Sequence, residues 1–486
     1  MAATMSTDEP ETALDEERAR IAALYREIDL RDRQIAKMRY SGSEDAEALR
    51  LSAEIRALQA STSWRITAPL RSIKTRFLSW RRGLPRAPIA SATTRPAPGL
   101  PEMPDPHAGE GRARRKILVV DVRIPAPDIQ SSGVRMTAIV DLLREFGFDV
   151  TFISNHGPED YHWVFANVGD QLRERVAKLR AQGVSVIFGY DAAIEHLISK
   201  GRCYEAAFVC FPDLMLQYAA AIRVYAPQAT LIYDTVDLHG IRHRRAAELS
   251  KDAEDFRQAD YYDRMEAVNI LAADRIVAIS AHEARLITER HPDARVFTIP
   301  NIHSAQDHVP GFAQRDGLLF IGHYLHAPNQ DAAEHLARDI LPLVRAALGD
   351  APLFLVGSSP TELIKGLAGN GVHVVGHVPN AGEYFDRCRV FVAPLRYGAG
   401  MKGKIGQSMS LGLPVVTTSI GAEGMDLENG ETALLADNPQ DFAAAVIRLY
   451  RDEALWREMS RKALDHVASR FSVAVARTAL QELLLA

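Results

Sequence analysis

Val390-Phe-Val-Ala-Pro-Leu-Arg-Tyr-Gly398-Ala-Gly-Met-Lys402-Gly-Lys404 is an apolar run followed by a turn rich in glycine and lysine, and a helical pattern continues it over 405–411. A buried strand, a turn and a helix in this order are the repeating unit of a doubly wound α/β domain. Glycines let the backbone approach an anion, a helix start offers free N–H groups, and the two lysines add positive charge. The stretch therefore predicts a Rossmann-like lobe that binds a diphosphate at this turn.

Two nucleotide-binding motifs almost fit the turn. The P-loop requires Ser or Thr after its Gly-Lys pair, and Ile405 stands at that position. Gly398, Gly400 and Gly403 have the dinucleotide spacing, but they lie late in the chain and not at its first strand–helix crossing. A phosphate site of another kind remains, beside the alternative of a tight turn with solvated lysines.

Short apolar runs alternate with helical patterns along most of the chain. A first series lies at 116–121, 150–153, 184–188, 207–210, 230–233 and 275–279, and a second at 318–321, 353–356, 372–375, 390–393 and 414–417. Each run has the length and composition of a buried parallel strand. We predict an α/β protein with two doubly wound Rossmann-like lobes, over 114–304 and 305–465, and a C-terminal helix over 466–486.

The first 60 residues predict a coiled-coil helical segment. Between 14 and 58 the chain is rich in Glu, Arg, Ala and Leu and has no proline. Apolar residues follow a heptad spacing at Ile21, Leu24, Ile28, Ile35 and Met38. The register changes near 41–43, so a dimeric rod, a hairpin of two helices and a lone solvated helix remain alternatives.

Residues 61–113 predict a basic amphipathic segment followed by a proline-rich linker. Between 61 and 90, apolar residues such as Trp64 and Trp80 alternate with seven Lys or Arg, without any Asp or Glu. The pattern suits a helix at an anionic membrane surface, and equally a helix docked on the protein's own acidic surface. Nucleic acid is a poorer partner because the acidic chain lacks a broad basic face.

The overall composition describes an ordinary globular chain of 486 residues, with 47% hydrophobic residues, 24% charged residues and a net charge of -5. Cys203, Cys210 and Cys388 match neither a zinc site nor a disulfide framework. No stretch reaches the roughly 18 apolar residues of a membrane span, and the start is acidic, unlike a secretion signal. We expect a cytoplasmic protein, free or peripheral on the inner face of the cell membrane.

Residues 391–417 resemble the donor-binding segment of the family four (group 1) retaining glycosyltransferases, which have the two-lobed GT-B fold. In that family a glutamate bonds the donor ribose where this chain has Gln407. A second glutamate lies eight positions earlier, where this chain has Ala399. A neutral amide still hydrogen-bonds hydroxyl groups, and the resemblance implies that Lys402 and Lys404 neutralise the leaving phosphate.

The resemblance also implies a set of donor-binding residues. They are Gly322, His323, Asn329, Arg396, Gly398, Gly400, Gln407, Ser408, Met409 and Glu423. His323 stands where relatives have an arginine, and it is a weaker phosphate clamp because histidine is charged only below a pKa of about 6.5. An ordinary loop histidine is the alternative for His323, and a solvated acid is the alternative for Glu423.

Two loops of the first lobe are the acceptor side in relatives. Ser132, Gly133 and Arg135 begin a helix after the first strand, where a helix cap is the alternative interpretation. Asp234-Thr-Val-Asp237-Leu-His239 follows a later strand and resembles the acceptor loop of one branch, so Asp234 is expected there, with Asp237 and His239 as catalytic groups. Two acids without further ligands do not make a metal site.

These observations predict a retaining, metal-independent glycosyltransferase. It would move a sugar from a nucleoside diphosphate sugar to a saccharide or lipid-linked acceptor, in cell-surface polysaccharide or glycan synthesis, with no cofactor and no metal. Two alternatives remain, a nucleotide-sugar epimerase and a catalytically idle nucleotide-binding scaffold. Residues 14–58 would join a second copy or a partner helix, and residues 61–90 would contact the membrane.

Overall fold

The structure, a computed structural model, describes residues 115–127, 131–157, 168–378, 380–398 and 400–486. The coiled coil predicted over 1–60, the basic segment and linker predicted over 61–113, and the position of Ala399 lie outside these residues. No helix within the described ranges is long and apolar enough to cross a membrane.

The first lobe, as far as the structure describes it, is built on a sheet of seven parallel strands in the order β3-β2-β1-β4-β5-β6-β7. The strands are β1 (Arg115–Asp121), β2 (Phe148–Ser154), β3 (Ser185–Phe188), β4 (Ala206–Cys210), β5 (Thr230–Asp234), β6 (Arg275–Ala278) and β7 (Val296–Thr298). Successive residues of β1 are buried against opposite faces, since Ile117 and Val119 join one apolar core and Leu118 and Val120 the other. Helices therefore cover both faces, as expected for a parallel sheet.

Helices connect these strands by crossovers. They are α1 (Ser131–Glu145), α2 (Val168–Ala181), α3 (Tyr190–Lys200), α4 (Pro212–Tyr225), α5 (His239–Ser250), α6 (Ala253–Ala272) and α7 (Ala281–Arg290). Two of these helices begin at a capping residue of a type that favours helix N-termini. The Asp252 side chain caps α6 by accepting from Glu254 N–H, and the Ser280 side chain caps α7 by accepting from Glu283 N–H.

The second lobe has a sheet of six parallel strands among its described residues, in the order β10-β9-β8-β11-β12-β13. The strands are β8 (Leu318–Ile321), β9 (Leu353–Val356), β10 (Val372–Gly376), β11 (Val390–Ala393), β12 (Val415–Thr417) and β13 (Leu434–Leu435). The helices are α8 (Ala327–His335), α9 (Leu341–Leu348), α10 (Glu362–Lys365), α11 (Gly382–Arg387), α12 (Gly403–Ser410), α13 (Ser419–Ala422), α14 (Pro439–Arg451), α15 (Glu453–Arg470) and α16 (Val473–Leu485). The two doubly wound lobes predicted from the sequence are confirmed.

The C-terminal helix returns to the first lobe. Ala476, Leu480 and Leu483 of α16 are fully buried in the core that contains β1. The predicted start of this helix at 466 falls inside α15, which is continuous to Arg470. The break comes later because Phe471 and Ser472 redirect the chain towards the first lobe, a requirement of tertiary packing that helical periodicity does not show.

The strand orders determine where ligands can bind. In each sheet the order reverses beside its first strand, between β1 and β4 and between β8 and β11. Loops leaving the carboxyl ends of such neighbours diverge to opposite faces and leave a crevice, the usual binding position in open α/β sheets. The Gly- and Lys-rich turn follows β11, so it lies at one of these two positions.

Candidate functional site

The turn between β11 and α12 has a backbone that only its glycines adopt easily. Gly398 and Gly400 have φ angles of 138° and 69°, in the left-handed region that L side chains rarely occupy. The Lys402 ammonium group is buried and donates to the Gly400 carbonyl at 2.6 Å. Helix α12 begins directly after Lys402, at Gly403. The predicted turn is therefore folded around one of its own lysines.

Lys404 lies in the first turn of α12 and extends towards β8. Its ammonium group donates to the Asn329 side-chain oxygen and lies 4.7 Å from the centre of the Phe320 ring. Burial and the neighbouring charge of Lys402 lower the pKa of Lys404 to about 7. Burial also lowers the pKa of Lys402 to about 8, and there the carboxylates of Glu423 and Glu283 oppose the shift. Lys404 has no such carboxylate among the described residues.

Two histidines of the β8 loop lie beside Lys404. The His323 ring bonds the Ser358 hydroxyl at 2.8 Å, and the Asn329 amide donates to the His323 carbonyl at 2.9 Å. Burial and the charge of Arg123 lower the pKa of His323, and burial with Arg242 and Lys404 lowers that of His326 to about 4. The loops after β8 and β11 thus bring together basic groups whose charge is destabilised by burial and by one another.

The predicted acceptor loop meets the turn from the first lobe. Val236 has a φ angle of 61°, and the N–H of Asp237 donates to the Thr235 carbonyl at 2.7 Å, which closes a γ-turn at Val236. This backbone is strained for a β-branched residue. A Cβ atom on Gly400 would lie 2.8 Å from the Cβ atom of Asp237. The structure therefore brings Asp237 directly against the turn over 398–404.

Asp237 is held as a carboxylate by two neighbours. Its oxygens lie 2.7 Å from Arg242 Nη1 and 3.3 Å from His239 Nδ1. Burial alone would raise the pKa of Asp237, but Arg242, His239 and more distant basic groups hold it below its usual range. His239 packs against Phe211 and Tyr262, with ring centres 6.2 and 5.1 Å away, and burial lowers its pKa. Through these contacts His239 supports Asp237.

Arg135 and Asp234, both predicted on the acceptor side, are paired with each other in the interior of the first lobe. The two side chains form a bidentate ion pair of 2.6 and 3.1 Å, and their exposed fractions are 3% and 0%. Arg135 also donates to the Ile299 carbonyl at 3.1 and 3.0 Å. The two charges can be buried because each neutralises the other. The ion pair and the hydrogen bonds to Ile299 join α1 to β5 and to the chain after β7.

The start of α1 touches both the loop after β1 and the start of α12. A Cβ atom on Gly133 would lie 2.5 Å from the backbone carbon of Ala126, so close approach explains this glycine. A Cβ atom on Gly403 would lie 2.2 Å from the hydroxyl oxygen of Ser131. Ser132 is half-buried at the second position of α1. Two helix N-termini, one from each lobe, therefore adjoin each other.

We expect Gly133→Ala to destabilise the protein by about 1–3 kcal/mol, because the added methyl group overlaps the Ala126 backbone. Urea denaturation followed by circular dichroism measures the change. Gly311→Ala is the matched control, since its Cβ atom would have an ordinary contact of 3.8 Å and should cost less than about 1 kcal/mol. Equal stability of the two variants would show that the β1–α1 contact is loose.

Two predicted donor contacts of α12 are buried in the lobe. Met409 is 0% exposed within an apolar core, and the buried Ser408 hydroxyl donates to the Leu413 carbonyl at 2.9 Å. These side chains therefore pack the helix, and neither reaches the cleft. Gln407, by contrast, is exposed. At the rim, Arg396 is more than a third exposed and pairs with Asp331 at 2.9 Å.

Glu423 is held by the first lobe. Arg245 of α5 binds both of its oxygens, at 2.5 and 2.6 Å, and His282 Nε2 lies 2.9 Å from one of them. Burial would raise the pKa of Glu423, but Arg245 keeps it below its usual range. The carboxylate predicted for ribose therefore forms an ion pair between the lobes. Gly322 has a tight position of its own, since its Cβ atom would lie 3.0 Å from Asn329.

Sequence reasoning missed Arg242, Arg245 and Glu283. The two arginines are ordinary helix-surface residues by sequence, and only the fold brings Arg245 to the turn and Arg242 to Asp237. Glu283 follows Ser280 by three positions, a spacing that predicts a helix capping box. The structure makes half of that box, because the Glu283 carboxylate accepts instead from Gly400 N–H at 2.9 Å. In the part of the chain that is described, no group of three or more His, Cys, Asp or Glu could hold a metal ion.

Residues 315–452 match the family described as Glycosyl transferases group 1. The matched segment includes β8 to β13 and therefore the turn over 398–404. An uncharacterized 44.6 kDa protein in the cps region of Klebsiella pneumoniae is 25% identical over 164 residues. That alignment spans 32% of this chain and 42% of the length of that protein.

Solved structures share the two-lobed architecture. Sucrose-phosphate synthase from Thermosynechococcus elongatus has a TM-score of 0.57 at 16% identity, covering 76% of this chain and 98% of that one. Anabaena HepE in complex with UDP and glucose has a TM-score of 0.55 at 14% identity, covering 76% and 99%. S. aureus TarM in complex with Fondaparinux, alpha-GlcNAc-glycerol and UDP has a TM-score of 0.55 at 10% identity, covering 76% and 99%. At these identities the likeness concerns the fold.

Proposed function

Since the chain carries a domain of the glycosyl transferases group 1 family on a GT-B fold, we propose that it transfers a sugar from a nucleoside diphosphate sugar to a saccharide or lipid-linked acceptor. The structural neighbours HepE and TarM were solved with UDP, and HepE also with UDP-glucose. Synthesis of a cell-surface polysaccharide or another glycan is the process we propose, consistent with the cps-region relative.

One observation carries this proposal, the group of basic side chains around Lys404. Lys402, Lys404 and His323 all have lowered pKa values, which means that burial disfavours their charged forms. A diphosphate would supply the missing negative charge. The adjoining starts of α1 and α12 would add backbone N–H groups and the positive ends of two helix dipoles.

The chemistry that we propose is departure of the nucleoside diphosphate with retention at the anomeric carbon, without a metal ion. Lys404 would stabilise charge as it builds on the leaving phosphate, the form of electrostatic catalysis expected of a preorganised cation. Asp237, held as a carboxylate beside the turn, would orient a hydroxyl of the transferred sugar or of the acceptor. Retention rests on the family resemblance.

For two segments before residue 115, which lie outside the described ranges, we propose the roles that the sequence predicts. We propose that the segment over 61–90 contacts the inner face of the cell membrane and that 14–58 joins a second copy or a partner helix. Both would bring the catalytic lobes to a lipid-linked acceptor.

A donor screen tests the function directly. The full chain is heated with UDP-, GDP-, ADP- and TDP-sugars, and any donor that raises the melting temperature is then assayed for transfer to saccharide and lipid-linked acceptors. We expect one nucleotide class to stabilise the protein and to support transfer. Donor binding without any turnover would favour the idle scaffold, and sugar interconversion without an acceptor would favour an epimerase.

Diphosphate binding should weaken as pH rises above about 7. Below its pKa of about 7 Lys404 is charged and ready for an anion, whereas above it binding must first take up a proton. The dissociation constant of the nucleoside diphosphate should therefore increase by up to about tenfold per pH unit from pH 7, until the raised pKa of the complex is reached. Calorimetry at pH 6.5, 7.5 and 8.5 measures this slope.

Lys404→Arg is the control for this slope, because arginine stays charged throughout this range. The variant should lose most of the pH dependence near 7, and Lys402, with a pKa of about 8, would account for the remainder. An unchanged slope in Lys404→Arg would mean that another group takes up the proton.

A further inference from the structure

Two backbone groups of the donor turn (Gly398–Lys404), the Gly398 carbonyl and the Gly400 N–H, are held by the first lobe. Arg245 Nη1 of α5 donates to the Gly398 carbonyl at 2.7 Å. Glu283 Oε1 of α7 accepts from Gly400 N–H at 2.9 Å. The donor turn belongs to the second lobe, yet both hydrogen bonds come from helices of the first lobe.

Each of these partners is itself fixed. The Arg245 guanidinium group is aligned by its bidentate pair with Glu423, so its position is defined by both lobes. Glu283 is 3% exposed, and its own N–H donates to the Ser280 hydroxyl at 3.2 Å. Burial and nearby Asp237 raise the pKa of Glu283 to about 8.

We propose that Arg245 and Glu283 are positioning residues that set the conformation of the donor turn for a nucleoside diphosphate. This proposal rests on the proposed function, because it assigns the shape of the same site to residues of the opposite lobe. Neither side chain needs to touch the donor, since both act through the backbone of Gly398 and Gly400.

The energetic reason lies in the glycine backbone. A turn with glycines at φ angles of 138° and 69° has several accessible peptide orientations, so hydrogen bonds from outside must select one. Without Glu283 the buried Gly400 N–H would lack an acceptor, and that peptide would rotate to find one. Rotation of this peptide changes the φ angle of Gly400, so the next peptide group, which carries the Gly400 carbonyl, would also shift, and with it Lys402, which donates to this carbonyl. The first lobe therefore controls where a donor-lobe lysine points.

Matched variants of the full chain test the proposal. Glu283→Leu and Arg245→Met remove the two hydrogen bonds, whereas Glu283→Gln keeps an acceptor oxygen for Gly400. Arg244→Met is the control on the same helix, because Arg244 pairs with Asp260 and Asp263 at 3.0 and 2.5 Å and does not contact the turn. UDP, GDP and ADP are titrated separately by calorimetry, and donor and acceptor KM values are measured with any active donor.

We expect nucleoside diphosphate binding to weaken by about 10- to 100-fold in Glu283→Leu, which removes a buried acceptor, and in Arg245→Met, which removes a partly buried donor together with its pair to Glu423. Glu283→Gln and Arg244→Met should stay within about threefold of the wild type. The donor KM should rise while the acceptor KM does not, a split that general destabilisation would not produce. If Glu283→Leu does not fold, the binding of Arg245→Met and of Glu283→Gln is compared with that of the wild type and of Arg244→Met.

The outcomes separate the two proposals. Wild-type protein that binds none of the three diphosphates and is not stabilised by a TDP-sugar in the donor screen refutes the proposed function itself. Wild-type protein that binds one of them, while Arg245→Met and Glu283→Leu bind it as tightly as Arg244→Met does, overturns the positioning role and leaves the function standing. Weak binding by Glu283→Gln equal to that of Glu283→Leu would also overturn it, because the acceptor oxygen would then be irrelevant.

Discussion

Lys404→Met should lower kcat by about 100- to 1,000-fold with the active donor, the usual effect of removing one preorganised group that stabilises a leaving oxyanion. The lysine lies in the first turn of α12 with Asn329 as its hydrogen-bond partner, and it has no carboxylate partner within the described residues. Removing a buried charge of this kind should not unfold the lobe. Steady-state kinetics with saturating acceptor measures the change in kcat.

Lys365→Met is the control for Lys404→Met. Lys365 lies in the same lobe, is more than half exposed, and its ammonium group pairs with Glu362 at 2.7 Å. This variant should retain wild-type kcat, and both variants should have melting temperatures close to that of the wild type. A kcat for Lys404→Met within about threefold of the control would exclude Lys404 from the chemical step.

Arg135→Met should destabilise the protein by about 3–5 kcal/mol, which is a large part of the free energy of unfolding of a typical domain. The substitution leaves the Asp234 carboxylate without its bidentate partner at a fully buried position, and it also removes both donors to the Ile299 carbonyl. Guanidinium denaturation followed by tryptophan fluorescence measures the midpoint and the slope.

Two further variants interpret that result. Arg457→Met breaks the exposed pair with Glu453 on α15 and should cost only about 0.3–0.5 kcal/mol. The double variant Arg135→Met with Asp234→Leu removes both buried charges and should recover part of the lost stability, since an uncompensated charge is the main cost. A loss below about 1 kcal/mol in Arg135→Met would mean that water reaches Asp234.

The alternation of strands and helices was predictable because each element carries its own local pattern. Strand β11 and the Gly398–Lys404 turn are adjacent in sequence. The apolar residues of the strand indicate burial, and the glycines of the turn indicate its backbone conformation. Strands β7 and β13 were missed because they have three and two residues, too short for a distinct apolar run.

The buried face of α12 was also within reach of the sequence. Ile405, Ser408 and Met409 are spaced by three and four positions, so they share one helix face, and all three are buried. The family resemblance placed Ser408 and Met409 at the donor, although this spacing already separates them from Gln407, which is exposed.

By itself the sequence determined the two doubly wound lobes, the Gly398–Lys404 turn and the lysines within it, because periodicity and glycine content are local properties of neighbouring residues. Only the tertiary structure decided which charges face that turn. Glu423 meets Arg245 across 178 positions, and Gly400 meets Glu283 across 117. The pairing of Arg135 with Asp234 spans 99 positions and buries both predicted acceptor contacts. Such contacts depend on how the elements are placed in space, and the sequence pattern around a residue does not show which distant residue it will meet.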